Sequence, residues 1–457
     1  MSFNETELGK IPLYWDVAKL GDVADVLSGF AFKSKDFVDN GVPVIKIKNI
    51  VPPYVTTDDS VYVSQELYEL SEKYQLNYND ILISMTGSNY NQLSSAVGKV
   101  GRVRLKDKPM LLNQRVGKIL TNEKKCNKEF LYYNISTMET RYRLALSAGG
   151  SANQANVSPK QIKSLLIPYP PLEEQKVIAH ILSTLDEKFE VNNQINKTLE
   201  NMAQAIFKQW FVDFEFPNED GEPYKSSGGE MIESELGLIP KGWEVVLLEE
   251  VAEFQNGYSF KSKELLDEDQ GDCFHVFKMG HIKKGGGLNK EGTKSYVPKT
   301  DYGNLSRYIV KKGDLLMCMT DMKSNVALLG HTALMDEDNK YILNQRVGLI
   351  RTLDKEKMNY PYLFILTNSK GFIENLRSRA NSGVQVNLST KEIKESLLVM
   401  PQKEILEKFN CITENIFEEY FNLGKENSFL TSLRDSLLPK LMSGEIRVPL
   451  DKEGDAS

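Results

Sequence analysis

A chain of 457 residues has room for two to four domains, each able to bury a core of its own. Its formal charge of −7, from 56 Lys and Arg against 63 Asp and Glu, argues against a protein that coats nucleic acid without discrimination, since such binding is mostly phosphate electrostatics. Cys126, Cys273, Cys318 and Cys411 form no CxxC pair, which points away from a zinc site or a disulfide framework and toward a reducing cytoplasm. No apolar run reaches the roughly 18 residues of a membrane span, and MSFNETELGKIP lacks an export signal's basic-then-apolar order.

In chain order, residues 1–171 are dense in β-branched and aromatic runs broken by Gly, Asn and Asp (VPVIKIKNIV, DILISM, AVGKVGRVRL, RVGKIL). They predict a mostly β domain with short helices such as EFLYYNISTMETRYRLALS. Residues 172–212 change texture: Ile178, Leu185, Asn192, Leu199 and Ile206 recur every seven positions, with Ile181, Ile195 and Met202 on an interleaved line. This is a coiled-coil seam with one polar position. Residues 213–238, rich in Gly, Ser, Glu and Pro, read as a semi-flexible linker. Residues 239–401 return to β texture (HVFKM, DLLMCMT, ALLGHTALM, RVGLIR). Residues 402–442 carry a second seam at Phe409, Ile416, Leu423, Leu430 and Leu437, with Ile405, Ile412 and Leu433 beside it. An acidic tail, 443–457, closes the chain. The acidic excess lies in the helices, linker and tail, which leaves the β segments slightly basic.

The two β–helix stretches are copies. LNQRVG stands at residues 112–117 and again at 343–348, 231 positions on. IPLYWDVAKLGDVADVLSGFAFKSKDF, from Ile11, matches IPKGWEVVLLEEVAEFQNGYSFKSKEL, from Ile239. YNDILISMTGS, from Tyr78, matches KGDLLMCMTDM, from Lys312, and NVSPKQIKSLLIPYP, from Asn156, matches NLSTKEIKESLLVMP, from Asn387. The small drift in offset is what surface-loop insertions produce. The expected fold is α+β: two mostly β domains joined by two long antiparallel coiled-coil helices, with an internal two-fold pseudo-repeat.

The common catalytic constellations do not occur: no GxxxxGK[ST], GxGxxG, HExxH or GxSxG. His180, His275, His281 and His331 are dispersed and read as structural or surface residues, and GHIKKGGGLNK, from Gly280, as a flexible loop. The repeated NQR has two readings. It can be a half-buried strand edge whose Arg bridges to a carboxylate, or a set of planar donors gripping phosphates or purine edges.

The duplication sorts the candidates. If the two domains read different sequences, residues identical in both cannot encode the difference. Lys33, Ser34, Lys35, Gln114 and Arg115, with their twins Lys261, Ser262, Lys263, Gln345 and Arg346, are therefore expected to serve fold or phosphate positioning. Base readout is expected where the copies diverge, in polar loops that could also be plain surface. In the first copy these carry Ser88, Asn89, Tyr90, Asn91, Gln92, Asn153 and Gln154. In the second they carry Lys323, Ser324, Asn325, Asn381, Ser382 and Gln385.

These residues resemble the specificity (S) subunits of Type I restriction-modification enzymes over nearly the whole chain. The likeness rests on the doubled IPxxW opening, G[FY]xFKS, the [DN]D[IL]L run ending in Met-Thr, NQRVG, the NxS…I…P close, and SLLPKLMSGEIRV at residues 436–448. It implies two target recognition domains, each reading one half of a split site in double-stranded DNA. The helices would hold them apart and dock two methyltransferase (M) subunits. S-adenosylmethionine would bind those partners, and ATP and Mg2+ would serve them and the restriction (R) subunits. The chain itself would hold no catalytic residue, metal or cofactor. A self-sufficient methyltransferase would need an [ND]PP[YFW] tetrapeptide, and YPPL at Tyr169 lacks its leading residue. A protein-binding coiled-coil scaffold, or an adaptor outside a restriction system, is the remaining alternative. One departure is that EEQKVI, after Leu172, becomes KEILEK in the second copy, so the two partner surfaces are expected to differ.

Overall fold

The computed structural model describes residues 2–88, 97–151, 154–290, 292–322, 326–353, 358–382 and 385–449. It forms two compact units, Met1–Glu190 with Phe429–Ser457, and Val191–Ser428, so each long helix contributes to both.

In the first unit the strand Ile81–Ser84 reads ILIS and is buried on both faces, which places it inside a sheet rather than at an edge. It pairs antiparallel with Val100–Arg102 and with Val116–Thr121, and Ala24–Ser28 lies beyond the latter. A second sheet orders Leu111–Leu112, Val42–Ile45, Val61–Val63 and Phe37–Val38. The second unit repeats this plan. Leu315–Cys318 lies between Thr332–Leu334 and Val347–Thr352, with Ala252–Asn256 outside. The registers agree across copies: Ile81 faces Arg102 as Leu315 faces Leu334.

The duplicated motifs at the domain ends have structural causes. The opening is a hairpin, Phe3–Thr6 with Gly9–Pro12, repeated as Met231–Ser234 with Gly237–Pro240. The repeat thus reaches further back than the match beginning at Ile11. In the NxS…I…P close, Ser158 and Ser389 cap short helices by accepting from the N–H of Gln161 and Glu392, while Ile162 and Ile393 are fully buried. The strand after each cap pairs antiparallel with the strand after IPxxW: Leu166–Tyr169 with Asp16–Lys19, and Leu397–Met400 with Glu244–Leu247. Each β domain therefore begins and ends on adjacent strands.

The first long helix is Leu172–Phe207, followed by a π-helical turn, Lys208–Val212; the second is Lys403–Met442. Ile178, Asn192, Phe409, Leu423 and Leu430 are buried, and Leu185, Leu199, Ile206, Ile416 and Leu437 half-buried. The interleaved line differs from the expectation. Ile195 is 39% exposed, Met202 48% and Ile412 42%, whereas Leu182, Ala203, Thr413, Asn427 and Leu441 are buried. Of the expected line Ile405 is buried and Ile181 and Leu433 half-buried, but elsewhere the buried positions fall four residues after the first line, some of them polar. In the second unit Asn192 Nδ2 donates to Glu426 Oε2 at 2.8 Å and to Asn427 Oδ1 at 3.0 Å, and the rings of Phe207 and Phe409 lie 6.3 Å apart, so the helices run antiparallel there.

The linker is also more ordered than its composition suggests. Phe216 stacks on Trp243 at 5.0 Å and on Tyr224 at 4.6 Å, while Phe214 meets Trp243 edge-on. Three aromatic side chains outweigh the Gly and Ser around them because each buries far more apolar area than a flexible backbone loses in entropy.

Candidate nucleic-acid interface

The doubled NQR is a tight turn stitched to its surroundings by main-chain bonds. In the first copy Gln114 N–H donates to the Phe30 carbonyl at 2.9 Å, Asn113 N–H to that of Ile45 at 3.2 Å, and Met85 N–H to that of Arg115 at 2.9 Å. The second copy repeats each bond: Gln345 to Tyr258 at 2.9 Å, Asn344 to Phe277 at 3.1 Å, and Met319 to Arg346 at 3.2 Å. The approach explains the glycine of G[FY]xFKS, since a Cβ on Gly29 or Gly257 would fall closer than 3.0 Å to the carbonyl of Asn113 or Asn344. Backbone geometry thus fixes the motif, while the side chains of Gln114, Arg115, Gln345 and Arg346 are left exposed.

The divergent loops grow from the same place. Met85 accepts from Val157 N–H at 2.9 Å, and Thr86–Gly87 pairs with Gln154–Asn156, which pairs in turn with Gly149–Ser151. Thr86 Oγ1 donates to Asn156 Oδ1 at 2.8 Å. In the second copy Thr320 Oγ1 donates to Asn387 Oδ1 at 2.9 Å, inside the sheet of Thr320–Met322, Gln385–Asn387 and Asn381–Ser382. Each unit therefore holds its shared turn against the roots of both divergent segments.

The readout candidates fall unevenly on this frame. Ser88 is half-buried, Gln154 and Ser382 lie on strands, Asn381 is exposed and Gln385 partly buried. Asn89, Tyr90, Asn91, Gln92, Asn153, Lys323, Ser324 and Asn325 lie outside the described residues. In FKSK the aromatic ring packs, Phe32 against Phe30 at 4.9 Å and Phe260 against Tyr258 at 4.9 Å. Lys33, Ser34, Lys35, Lys261, Ser262 and Lys263 are exposed.

Two lysines outside the duplicated motifs join the face. Lys46 and Lys278 follow Ile45 and Phe277, the residues whose carbonyls hold the NQR turns. Lys46 Nζ lies 4.4 Å over the Phe37 ring, and Lys278 Nζ donates to Ser295 Oγ at 2.6 Å. Partial burial lowers the pKa of both, Lys48 adding to the effect at Lys46, and neither forms an ion pair with a described carboxylate. Asp267 attracts Lys278 electrostatically, and a phosphate would add counter-charge at both lysines. The signal was visible as a lysine ending the same β run in VIKIKNI and VFKMGHI.

Among the described residues the face offers donors, and its thiols and imidazoles are held by burial. Burial pushes the thiols of Cys126 and Cys318 up to about 12 and about 11, so neither is a ready nucleophile. His275, stacked between the rings of Tyr296 and Tyr341, meets His281 at 3.3 Å, and Lys278 N–H donates to His281 Nδ1. No group of three or more His, Cys, Asp or Glu among the described residues could hold a metal ion, and no described helix is long and apolar enough to cross a membrane. Two copies of a β domain, each pairing a fixed cationic turn with variable polar loops, define a two-part reader of nucleic acid.

The chain belongs to the type I restriction-modification specificity family, whose sequence model, the Type I restriction modification DNA specificity domain, matches residues 12–201 and 240–419. It is 28% identical over 452 residues to the MjaIX specificity subunit of Methanocaldococcus jannaschii, covering 98% of this chain and 96% of that one. It is 26% identical over 468 residues to the EcoBI specificity subunit of Escherichia coli, covering 98% and 91%. The crystal structure of the S subunit from M. genitalium has the same fold at 17% identity, with a TM-score of 0.50 over 96% of this chain and 98% of that one. The protein is thus the specificity subunit of a type I restriction-modification system, a non-catalytic part of its complex.

Proposed function

We propose that each unit reads one half of a bipartite target in double-stranded DNA. The shared set (Gln114, Arg115, Lys33, Lys35 and Lys46, with twins Gln345, Arg346, Lys261, Lys263 and Lys278) grips phosphates, and the divergent loops read base edges. The observation that carries this is the bond from Met85 N–H to the Arg115 carbonyl and its counterpart at Met319, which put fixed and variable elements on one surface. The two long helices, each shared between units, set the half-site spacing and dock two methyltransferase subunits, to which restriction subunits add. S-adenosylmethionine, ATP and Mg2+ bind on those partners, and the complex works in the cytoplasm. The test is selection from random duplexes, at stated salt, by the chain reconstituted with its methyltransferase partner. Enrichment of two short motifs at one fixed spacing is expected. A single continuous motif, or methyl transfer by the chain alone, would refute the reading.

A further inference from the structure

At matched positions of the repeat the two β domains rest on the helix pair through unlike chemistry, the second unit's ionic contact, Lys290 with Asp336 and Ser428, lying elsewhere. In the first unit Arg102, 0% exposed, lies at the end of a core strand. Its guanidinium pairs with Glu129, meets Asp186 Oδ2 at 2.8 Å and lies 4.0 Å from the Tyr132 ring. Asp186, on the first helix, also accepts from Tyr133 OH at 2.7 Å and from Arg434 Nη1, on the second helix, at 3.2 Å. One carboxylate thus ties the β domain to both helices. Glu174, 2% exposed, adds a second tie by accepting from Trp15 Nε1 at 3.1 Å and Tyr14 OH at 2.9 Å, and Gln175 a third by accepting from Asn127 N–H at 2.9 Å.

The repeat shows what stands at the same places in the second unit. Strand register sets Leu334 opposite Arg102, and the heptad lines set Phe417 at Asp186, Ala203 at Arg434, and Ile405 and Leu406 at Glu174 and Gln175. All five are buried in one apolar cluster, where Phe364 meets Phe417 at 6.0 Å. Trp243, the twin of Trp15, keeps a buried Nε1 with no partner among the described residues. Within the EEQKVI-to-KEILEK difference, the changes from Glu174 and Gln175 to Ile405 and Leu406 therefore face inward, onto each domain's own seat, while Lys176 and its counterpart Glu407 are exposed.

We propose that this contrast is an address: the ionic seat accepts the first recognition domain and rejects the second, and the apolar seat does the reverse, so each copy keeps its own half of the target. Mismatched seating would bury Asp186 and Arg434 against Leu334 and its apolar neighbours, or Arg102 against Phe417. Asp186 would keep only Arg434, and Arg102 only Glu129, so either mismatch breaks a buried ionic network while its members stay desolvated, which is costly. The inference goes beyond DNA reading and does not depend on which bases are read.

Thermal unfolding of full-length variants tests it. R102L deprives Asp186 and Glu129 of the buried guanidinium they share and is expected to melt about 10 °C below the parent. R102L/D186F/R434A, which installs the second copy's residues, is expected to recover most of that loss. A second pair of chains carries residues 239–401 on both seats, with the first helix and Arg434 either unchanged or changed by E174I, Q175L, D186F and R434A. The changed chain is expected to be soluble and to melt higher. An R102L that melts like the parent, a triple variant no better than R102L, or a changed duplicate no better than the unchanged one would each overturn the address.

Discussion

At the level of single residues, identity between the copies turns out to mean two different things. Gly29 and Gly257 are shared because no side chain fits against the carbonyl of the NQR turn, whereas Arg115 and Arg346 are shared with their guanidinium groups in solvent. Gly29→Ala is therefore expected to cost about 1–3 kcal/mol through forced displacement of the turn. Selection on DNA should then show the first half of the motif blurred and the second half intact. Arg115→Ala should leave the melting temperature unchanged, weaken binding to all sequences alike, and lower the salt-dependence slope by about one. A changed base preference in a gel-shift panel would instead make Arg115 a reader. A third residue-level effect comes from His275, whose pKa is lowered to about 4 by burial and by neighbouring His281, with Lys340 and Lys294 contributing. Unfolded, the ring titrates near 6.5, so between about 6.5 and 4 the unfolded chain takes up a proton that the native chain refuses. Stability of the second unit should be flat above that window and fall with decreasing pH inside it, by up to roughly 1.4 kcal/mol per unit. Urea unfolding of His275→Phe should reduce this slope, leaving the part due to His281 and His331, whose pKa values burial also lowers.

Among the elements, the long helices show how far pattern alone carries. One apolar line every seven residues was legible because Ile178, Leu185, Leu199 and Ile206 stand out from their neighbours. The second line was not, since Asn427 and Arg434 count as interior only when each meets its partner on the other helix. Sequence favoured Ile195 and Met202, which the helix turns outward. The β domains were legible as texture and as a repeat. Lys46 and Lys278, which lie in no duplicated motif, owe their place at the site to a neighbouring residue's carbonyl, a relation that no spacing rule encodes. The same contacts dictate how spacing can be tested. Asn192 faces Asn427, so a heptad must be inserted at both positions to preserve the pairing. Seven residues add roughly 10 Å of helix, close to three base pairs of B-DNA, and turn the second half-site by something like 100°. Selection should return the same two motifs, farther apart and more weakly bound. Retention of the original spacing by a folded variant would show that the helices are not the ruler.

For the molecule as a whole, two separate cores mean that the halves of the target should vary independently. Replacing residues 239–401 by the matching segment of a relative is expected to alter one motif and leave the other unchanged, as read by methylome sequencing of a host carrying the chimaera. Alteration of both would mean that the domains do not read alone. The strand pairing of Leu166–Tyr169 with Asp16–Lys19, and of Leu397–Met400 with Glu244–Leu247, gives this exchange a further meaning. Because entry and exit of each reading domain are neighbours, a lineage can replace the entire insert at one doorway without redrawing the frame. A new target can then be inherited in a single recombination event, with no succession of half-functional intermediates between the old specificity and the new.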